Sequence, residues 1–289
     1  MKKIISAAMF CAILLASCSS DDAEQTIAGA MPAYTAQTEL HGGARTIVDA
    51  NRNVLWSEND NIAIFQKSSL SDEYVLSAGA GTQNGSFKYV EQQTGQYPDF
   101  SAGTEISHNA AIFPYRADYV MSNVKGGFKF ENIQFPAIQH LGEGYMDKKA
   151  LPMVAVSEDT NLKFKNIGGM LRLQLLIGST LPYKIKIKGL GNEKIAGTAT
   201  VTTGIDGAEP AMTLNDAGAS SEIELNFIPD INRDMSKPMD FFAVMPVMKF
   251  AKGIQIEAYD EHGALITTLK TLPCEIKRND ILVMPPVQL

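Results

Sequence analysis

Cys18 has the setting that carries the most chemistry in this chain. Lys2 and Lys3 precede a mostly apolar run from Ile4 to Ala16, which closes in Leu15-Ala16-Ser17-Cys18. The run is shorter than the ~20 apolar residues of a membrane-spanning helix, and the small residues at 16 and 17 suit a peptidase cutting just before the cysteine. A cysteine freed as the new N-terminus takes a diacylglyceryl thioether on its sulfur and a further acyl chain on its amine. Several chains anchor a protein stably where one binds only marginally. Residues 1–17 are therefore read as a lipoprotein signal peptide and Cys18 as the lipidation site.

Few other side chains are spaced for chemistry. His41, His108, His140 and His262 stand far apart, outside any His-x-x-x-His or metalloprotease pattern, so no metal site is expected. Cys274 has no cysteine-peptidase motif around it and reads as a small core residue in the run from Thr267 to Ile281. Glu58, Asp60 and Asn61 crowd three oxygen-bearing side chains together. They lack the spacing and closing glutamate of a calcium loop and fit a turn leading into a strand equally well. Glu143, Asp147, Glu158 and Asp159 would serve glycoside hydrolysis only if loops brought two carboxylates to ~5 or ~6.5–9.5 Å, which nothing in their spacing predicts. Gly79-Ala80-Gly81 and Gly126-Gly127 have no phosphate-loop lysine beside them. No catalytic residue and no cofactor is expected, and an enzyme is the least favoured class.

Composition sets the frame for these residues. The formal net charge is −7 and becomes more negative once Lys2 and Lys3 leave with the leader, which argues against a nucleic-acid partner. Cys11 leaves too and Cys18 is used by lipid, so Cys274 has no partner for an intrachain disulfide, and stability rests on apolar packing. The chain beyond the leader is long enough for two domains of ordinary size.

Short strands are expected throughout. Tyr183 to Leu190 is the clearest, with Ile185 and Ile187 alternating against Lys184, Lys186 and Lys188. That period of two places the lysines on the wet face, whereas a helix would scatter the isoleucines. Met170 to Ile177 and Asn61 to Phe65 are further candidates. Asn84-Gly85 reads as a hairpin turn leading into Ser86 to Val90. Further short runs at Ile195 to Thr203, Glu222 to Phe227, Phe241 to Val244, Gly253 to Tyr259, Ala264 to Leu269 and Ile281 to Met284 complete the series. From Gln92 to Gly144 loops are expected to dominate around Ala110 to Phe113, Gly127 to Phe130 and Ile133 to Phe135. Ser19 to Thr46 reads as a soluble tether, with order starting near Arg45 to Val54. Strands at this spacing without amphipathic helices favour a sandwich over an α/β fold.

Several stretches together resemble the fimbrillin family, the lipoprotein precursors of major, anchor and tip subunits of fimbriae in Bacteroides-type bacteria. They are Trp56 to Phe65, Ala111-Ile112-Phe113-Pro114-Tyr115, Leu151 to Ala155, Leu162 to Leu175, Ile185 to Leu190 followed by Ile195-Ala196-Gly197, Ala243-Val244-Met245-Pro246, Gly253 to Ile256, and Ile276 to Ile281. The resemblance implies an all-β chain with two transthyretin-like β-sandwich domains in tandem, over residues 46–165 and 166–289. Residues 18–45 would then form a tether and propeptide with a removable first strand. It also implies cleavage by an arginine- or lysine-directed protease, after which a strand from the next subunit fills the vacated groove. Arg45, within Gly42-Gly43-Ala44-Arg45-Thr46, is the candidate processing site and Arg52 the runner-up. Asp21 and Asp22 beside Cys18 look like the acidic surface-export signals of such lipoproteins.

The expected role is a lipid-anchored fimbrial subunit that contributes to adhesion, placed at the outer membrane, the cell surface and the fimbrium. Its partners would be other fimbrial subunits, the outer membrane through lipid, and a host protein or glycan. The alternative is a surface lipoprotein that does not polymerise and binds carbohydrate or a host ligand, for which Tyr115, Tyr119, Tyr145 and Phe130 could offer stacking surfaces. Ile281 to Leu289 is the natural C-terminal donor strand, but Pro285-Pro286 interrupts its hydrogen bonding.

Overall fold

The structure, a computed structural model, describes residues 31–39, 54–67, 69–90, 107–142, 146–178, 180–205, 207–229, 234 and 236–289. Among them the regular structure is β apart from a short 3-10 turn at Lys148–Ala150, and no helix is long and apolar enough to cross a membrane. The chain is all-β.

Seven strands close on themselves as a barrel: β1 (Tyr34–Thr38), β10 (Asn161–Asn166), β9 (Met153–Ser157), β5 (Asn109–Phe113), β2 (Asn61–Phe65), β3 (Asp72–Ala78) and β4 (Asn84–Tyr89), the last pairing back to β1. β5 is buried at all five residues and β2 at four of five. Such strands are covered on both faces and show near-continuous apolar sequence instead of alternation. Strands exposed on one side alternate, as in β1, where Tyr34, Ala36 and Thr38 are buried while Thr35 and Gln37 are exposed.

A five-stranded sheet runs β19 (Leu265–Lys270), β18 (Ile254–Tyr259), β12 (Lys184–Gly189), β15 (Glu222–Asn226) and β8 (Ile138–His140). Ile185 and Ile187 of β12 are fully buried. Lys186 lies 2.8 Å from Glu222, and Lys188 lies 3.4 Å from Glu257, across the sheet's outer face. The period-of-two expectation for this strand holds. β11 (Gly169–Leu176) lies between β16 (Met239–Met245), which is antiparallel, and β21 (Ile281–Val283), which is parallel. After Pro285-Pro286 the chain rejoins β11 as β22 (Val287–Gln288). A further sheet orders β14 (Ala211–Leu214), β13 (Gly197–Gly204), β7 (Gly127–Phe135) and β6 (Val120–Val124), and β17 (Met248–Phe250) pairs with β20 (Cys274–Ile276). The buried apolar side chains gather into two cores, one around Trp56, Phe87, Phe130 and Phe164, the other around Leu173, Ile187, Leu225 and Phe241.

Three local expectations are corrected. Order begins at β1, well before Arg45, because the barrel supplies a partner strand on each of its edges. Asn84-Gly85 is not the hairpin turn. The chain turns at Gly79 (φ 92°) and Gly81 (φ 76°), while Gly85 sits inside β4, where a Cβ would come within 2.9 Å of Trp56 Cδ1. The block from Gln92 to Gly144 holds four strands among its described residues. Gly127–Phe135 is one nine-residue strand whose inward phase moves from Phe128 and Phe130 to Ile133 and Phe135. Asn132 at φ 65° and a register shift opposite, between Ala199 and Val201, produce that change of phase.

Candidate functional site

β1 is held along both edges. It runs parallel to β10, with Thr35 opposite Asn161 and Thr38 opposite Phe164, and antiparallel to β4, with Tyr34 opposite Phe87 and Gln37 opposite Asn84. Without it, β4 and β10 would each carry a row of unpaired backbone groups.

Each inward residue of β1 meets a specific partner. The Tyr34 ring packs edge-on against Tyr74 with centroids 5.2 Å apart. Burial, reinforced by the charge of Asp72, pushes the Tyr34 phenol up to about 12. The Tyr74 phenol is raised as well, chiefly by burial, and its hydroxyl lies 2.6 Å from the Gln66 side-chain amide. Trp56 Nε1 donates to the Ala36 carbonyl over 3.3 Å, and the indole is surrounded edge-on by Phe87, Phe113 and Phe164. Thr38 Oγ1 donates to the Val54 carbonyl over 2.6 Å.

Just past the strand, Glu39 is gripped by the far end of the chain. Arg278 Nη1 donates to Glu39 Oε2 at 2.7 Å and Nη2 to Oε1 at 3.0 Å, a bidentate fork. The Asn166 backbone N–H donates to Glu39 Oε2 at 2.9 Å. Arg278 also donates to the Asn166 carbonyl and pairs with Glu209. Both side chains of the Glu39–Arg278 pair are about four-fifths shielded from solvent.

Elsewhere, a hollow of about 360 Å³ is lined in part by Asp60, Asn61, Tyr115, Arg116, Gln134 and Lys149. Its charged groups are largely engaged. Asp60 accepts from the Ser57 N–H at 2.7 Å, and burial raises its carboxyl. Arg116 forks onto Asp118 at 2.9 and 2.7 Å, which holds the Asp118 carboxyl below the usual range.

Cys18, Arg45, Arg52, His41, Glu143 and Tyr145 lie outside the described residues. Phe130 is fully buried, and Tyr119 is buried with its hydroxyl donating to the Pro114 carbonyl at 2.9 Å; neither is a stacking surface. Tyr115 is half-buried at the hollow. Asp147 caps the 3-10 turn through the Lys149 N–H and also accepts from the His140 N–H, while Asp159 accepts from Asn161 and Ser157. Glu158 faces His108 at 3.4 Å. Cys274 is half-buried beside Thr271, and burial raises its thiol. Among the described residues no three His, Cys, Asp or Glu side chains are grouped as metal ligands would be.

What sequence reasoning missed is β1 and its clamp. The only local signal was the brief alternation Tyr34-x-Ala36-x-Thr38 followed by an acid, inside a segment poor in large apolar residues.

No protein-family model and no curated protein sequence matches this chain. A solved structure of a candidate cell adhesion protein from Bacteroides ovatus is similar over 88% of this chain and 91% of its own, at a TM-score of 0.51 and 10% identity. This chain shares that fold. A candidate cell adhesion protein from Bacteroides uniformis aligns over 89% and 91% of the two chains with a TM-score of 0.46 and 15% identity. The fimbrial anchor protein from Porphyromonas gingivalis aligns over 83% of each chain with a TM-score of 0.28 and 8% identity.

Proposed function

We propose that this chain is a fimbrial subunit of the fimbrillin type, made as a precursor acylated at Cys18 and carried by that lipid to the outer membrane and cell surface, where loss of the segment up to Arg45 frees it for assembly into a fibre that contributes to adhesion. The observation that carries the reading is β1. It closes the barrel between β4 and β10, and Arg45 follows it in sequence before the next strand. A cut after Arg45 severs β1 from the rest of the barrel, and its departure opens a slot with an apolar floor and two unpaired edges. An extended strand from another subunit satisfies both at once. In this reading the chain carries two transthyretin-like sandwich domains in tandem, over residues 46–165 and 166–289, with residues 18–45 as tether and propeptide including the removable β1. The two buried cores do not follow those bounds, since the first also takes in Tyr34, Ala36, Ala199, Val201, Phe242 and Val244. The cell-adhesion description of the Bacteroides ovatus protein with the same fold points in the same direction.

The test is the mature N-terminus and the cross-links of protein purified from native outer membranes, both read by mass spectrometry. A terminus at Thr46 with cross-links from a neighbouring subunit to β4 and β10 supports the reading. An acylated Cys18 without such contacts overturns strand exchange and leaves an anchor or an independent surface lipoprotein.

The hollow beside Tyr115 supports a second reading, in which the protein binds a carbohydrate or host ligand without polymerising. Glycan-array binding that Tyr115→Ala abolishes would favour it, and an array with no bound glycan would remove it.

A further inference from the structure

The slot that β1 occupies ends in a carboxylate receptor built before any partner arrives. Asn166 Nδ2 donates to Asn279 Oδ1 at 2.7 Å in the core, and the Asn279 N–H donates to the Gly168 carbonyl at 2.9 Å, so the loop carrying Arg278 is fastened to the end of β10. The guanidinium is oriented by its bond to the Asn166 carbonyl. Three donors, Arg278 Nη1, Arg278 Nη2 and the Asn166 N–H, converge on one carboxylate, that of Glu39. A half-buried guanidinium that loses this acid keeps only exposed Glu209 among the carboxylates paired with it here.

We infer that Arg278 and Asn166 select the strand that enters the slot, accepting an extended segment in which an aromatic, a small and a hydroxyl residue face inward at alternate positions and an acid follows directly. This rests on the strand-exchange reading above and specifies its partner. β1 is the template: Tyr34 against Tyr74, Ala36 over the Trp56 indole N–H, Thr38 on the Val54 carbonyl, then Glu39 in the fork. The middle position must be small because Ala36 lies opposite Gly85, where there is no room for even a Cβ between Leu76 and Trp56. Residues 281–289 contain neither an aromatic nor an acidic side chain. Residues 281–289 of a second copy therefore do not meet this pattern, and the occupant is an extended segment of another fimbrial subunit that does.

The experiment uses the full chain with a site-specific protease sequence replacing residues 41–46, cut and then offered fluorescent peptides with the sequence of residues 31–40. Uptake is followed by anisotropy. The unaltered peptide should displace β1, and peptides carrying Glu39→Gln or Ala36→Leu should need about tenfold more for the same occupancy, the scale of one charge-assisted bond or one overpacked side chain. Against protein carrying Arg278→Gln, the unaltered and Glu39→Gln peptides should bind alike. The peptide substitutions leave the protein's own fold unaltered, so the result does not depend on the Arg278 variant folding. Equal uptake of the unaltered and Glu39→Gln peptides overturns the selection while leaving strand exchange intact. Uptake of no peptide at all overturns strand exchange and the selection together.

Discussion

Trp56 Nε1 donates its hydrogen to the Ala36 carbonyl across 3.3 Å, so the largest side chain of the barrel core is bonded directly to the strand that closes the barrel. Three phenylalanines pack edge-on around the same indole. One residue thus couples packing of the interior to retention of β1.

Trp56→Ala should cost roughly 3–5 kcal/mol, the usual range for emptying a fully buried aromatic site. Trp56→Phe keeps much of the apolar contact and loses the hydrogen bond, at roughly 0.5–1.5 kcal/mol. Urea unfolding followed by circular dichroism separates the two. Trp56 is the chain's one tryptophan, so in the unaltered protein its emission maximum should move to the red when β1 leaves and water reaches the indole.

Gly85→Ala should destabilise by roughly 1–3 kcal/mol through overpacking. The added Cβ would lie 2.7 Å from Leu76 Cδ1 and 2.9 Å from Trp56 Cδ1. Gly126→Ala offers the comparison, since nothing lies within 4 Å of its Cβ position and the cost there arises from φ 76° alone. Thermal unfolding of the pair should show the emission of Trp56 disturbed only by the first.

Gln139 is fully buried, donates through Nε2 to the Val244 carbonyl at 2.7 Å, and accepts the Val244 N–H at 3.0 Å through Oε1. It works as a piece of backbone, pairing β8 to β16 where no ladder runs. Gln139→Leu leaves a buried donor and acceptor without those bonds, at about 1–3 kcal/mol each. Gln139→Glu should be worse at neutral pH, because a carboxylate cannot donate to the Val244 carbonyl and a charge is buried. Chemical denaturation at pH 7 ranks the three proteins.

Stability should fall between about pH 10 and about pH 12. Below pH 10 the Tyr34 phenol is protonated in both the folded and the unfolded chain, and its contribution is fully present. Above that the unfolded chain sheds the proton while the folded barrel, with this phenol pushed up to about 12, retains it. Unfolding then releases a proton and is favoured as pH rises, with a slope of at most about 1.4 kcal/mol per pH unit for one group. Tyr74 is raised in the same direction and adds to the effect. Denaturation midpoints measured from pH 9 to pH 12 should show the decline, and Tyr34→Phe should make it shallower while leaving the part due to Tyr74.

Some of the architecture was determined by sequence alone. The Lys184–Gly189 strand is legible because one face is wet and one is dry, and a period of two records that directly. The short apolar run at Asn61–Phe65 is legible as a strand for the opposite reason, burial on both faces. Tertiary structure decided the rest. Gly127–Phe135 reads as two pieces because a left-handed Asn132 changes its inward phase midway, and a local pattern shows that change as an interruption. β1 is unremarkable in isolation and becomes a strand only where β4 and β10 leave a gap of its length. Glu39 and Arg278 are 239 residues apart in the chain. Periodicity reports which side of an element is buried; it carries no information about which distant residue lies opposite, and that pairing is fixed only when the sheets close.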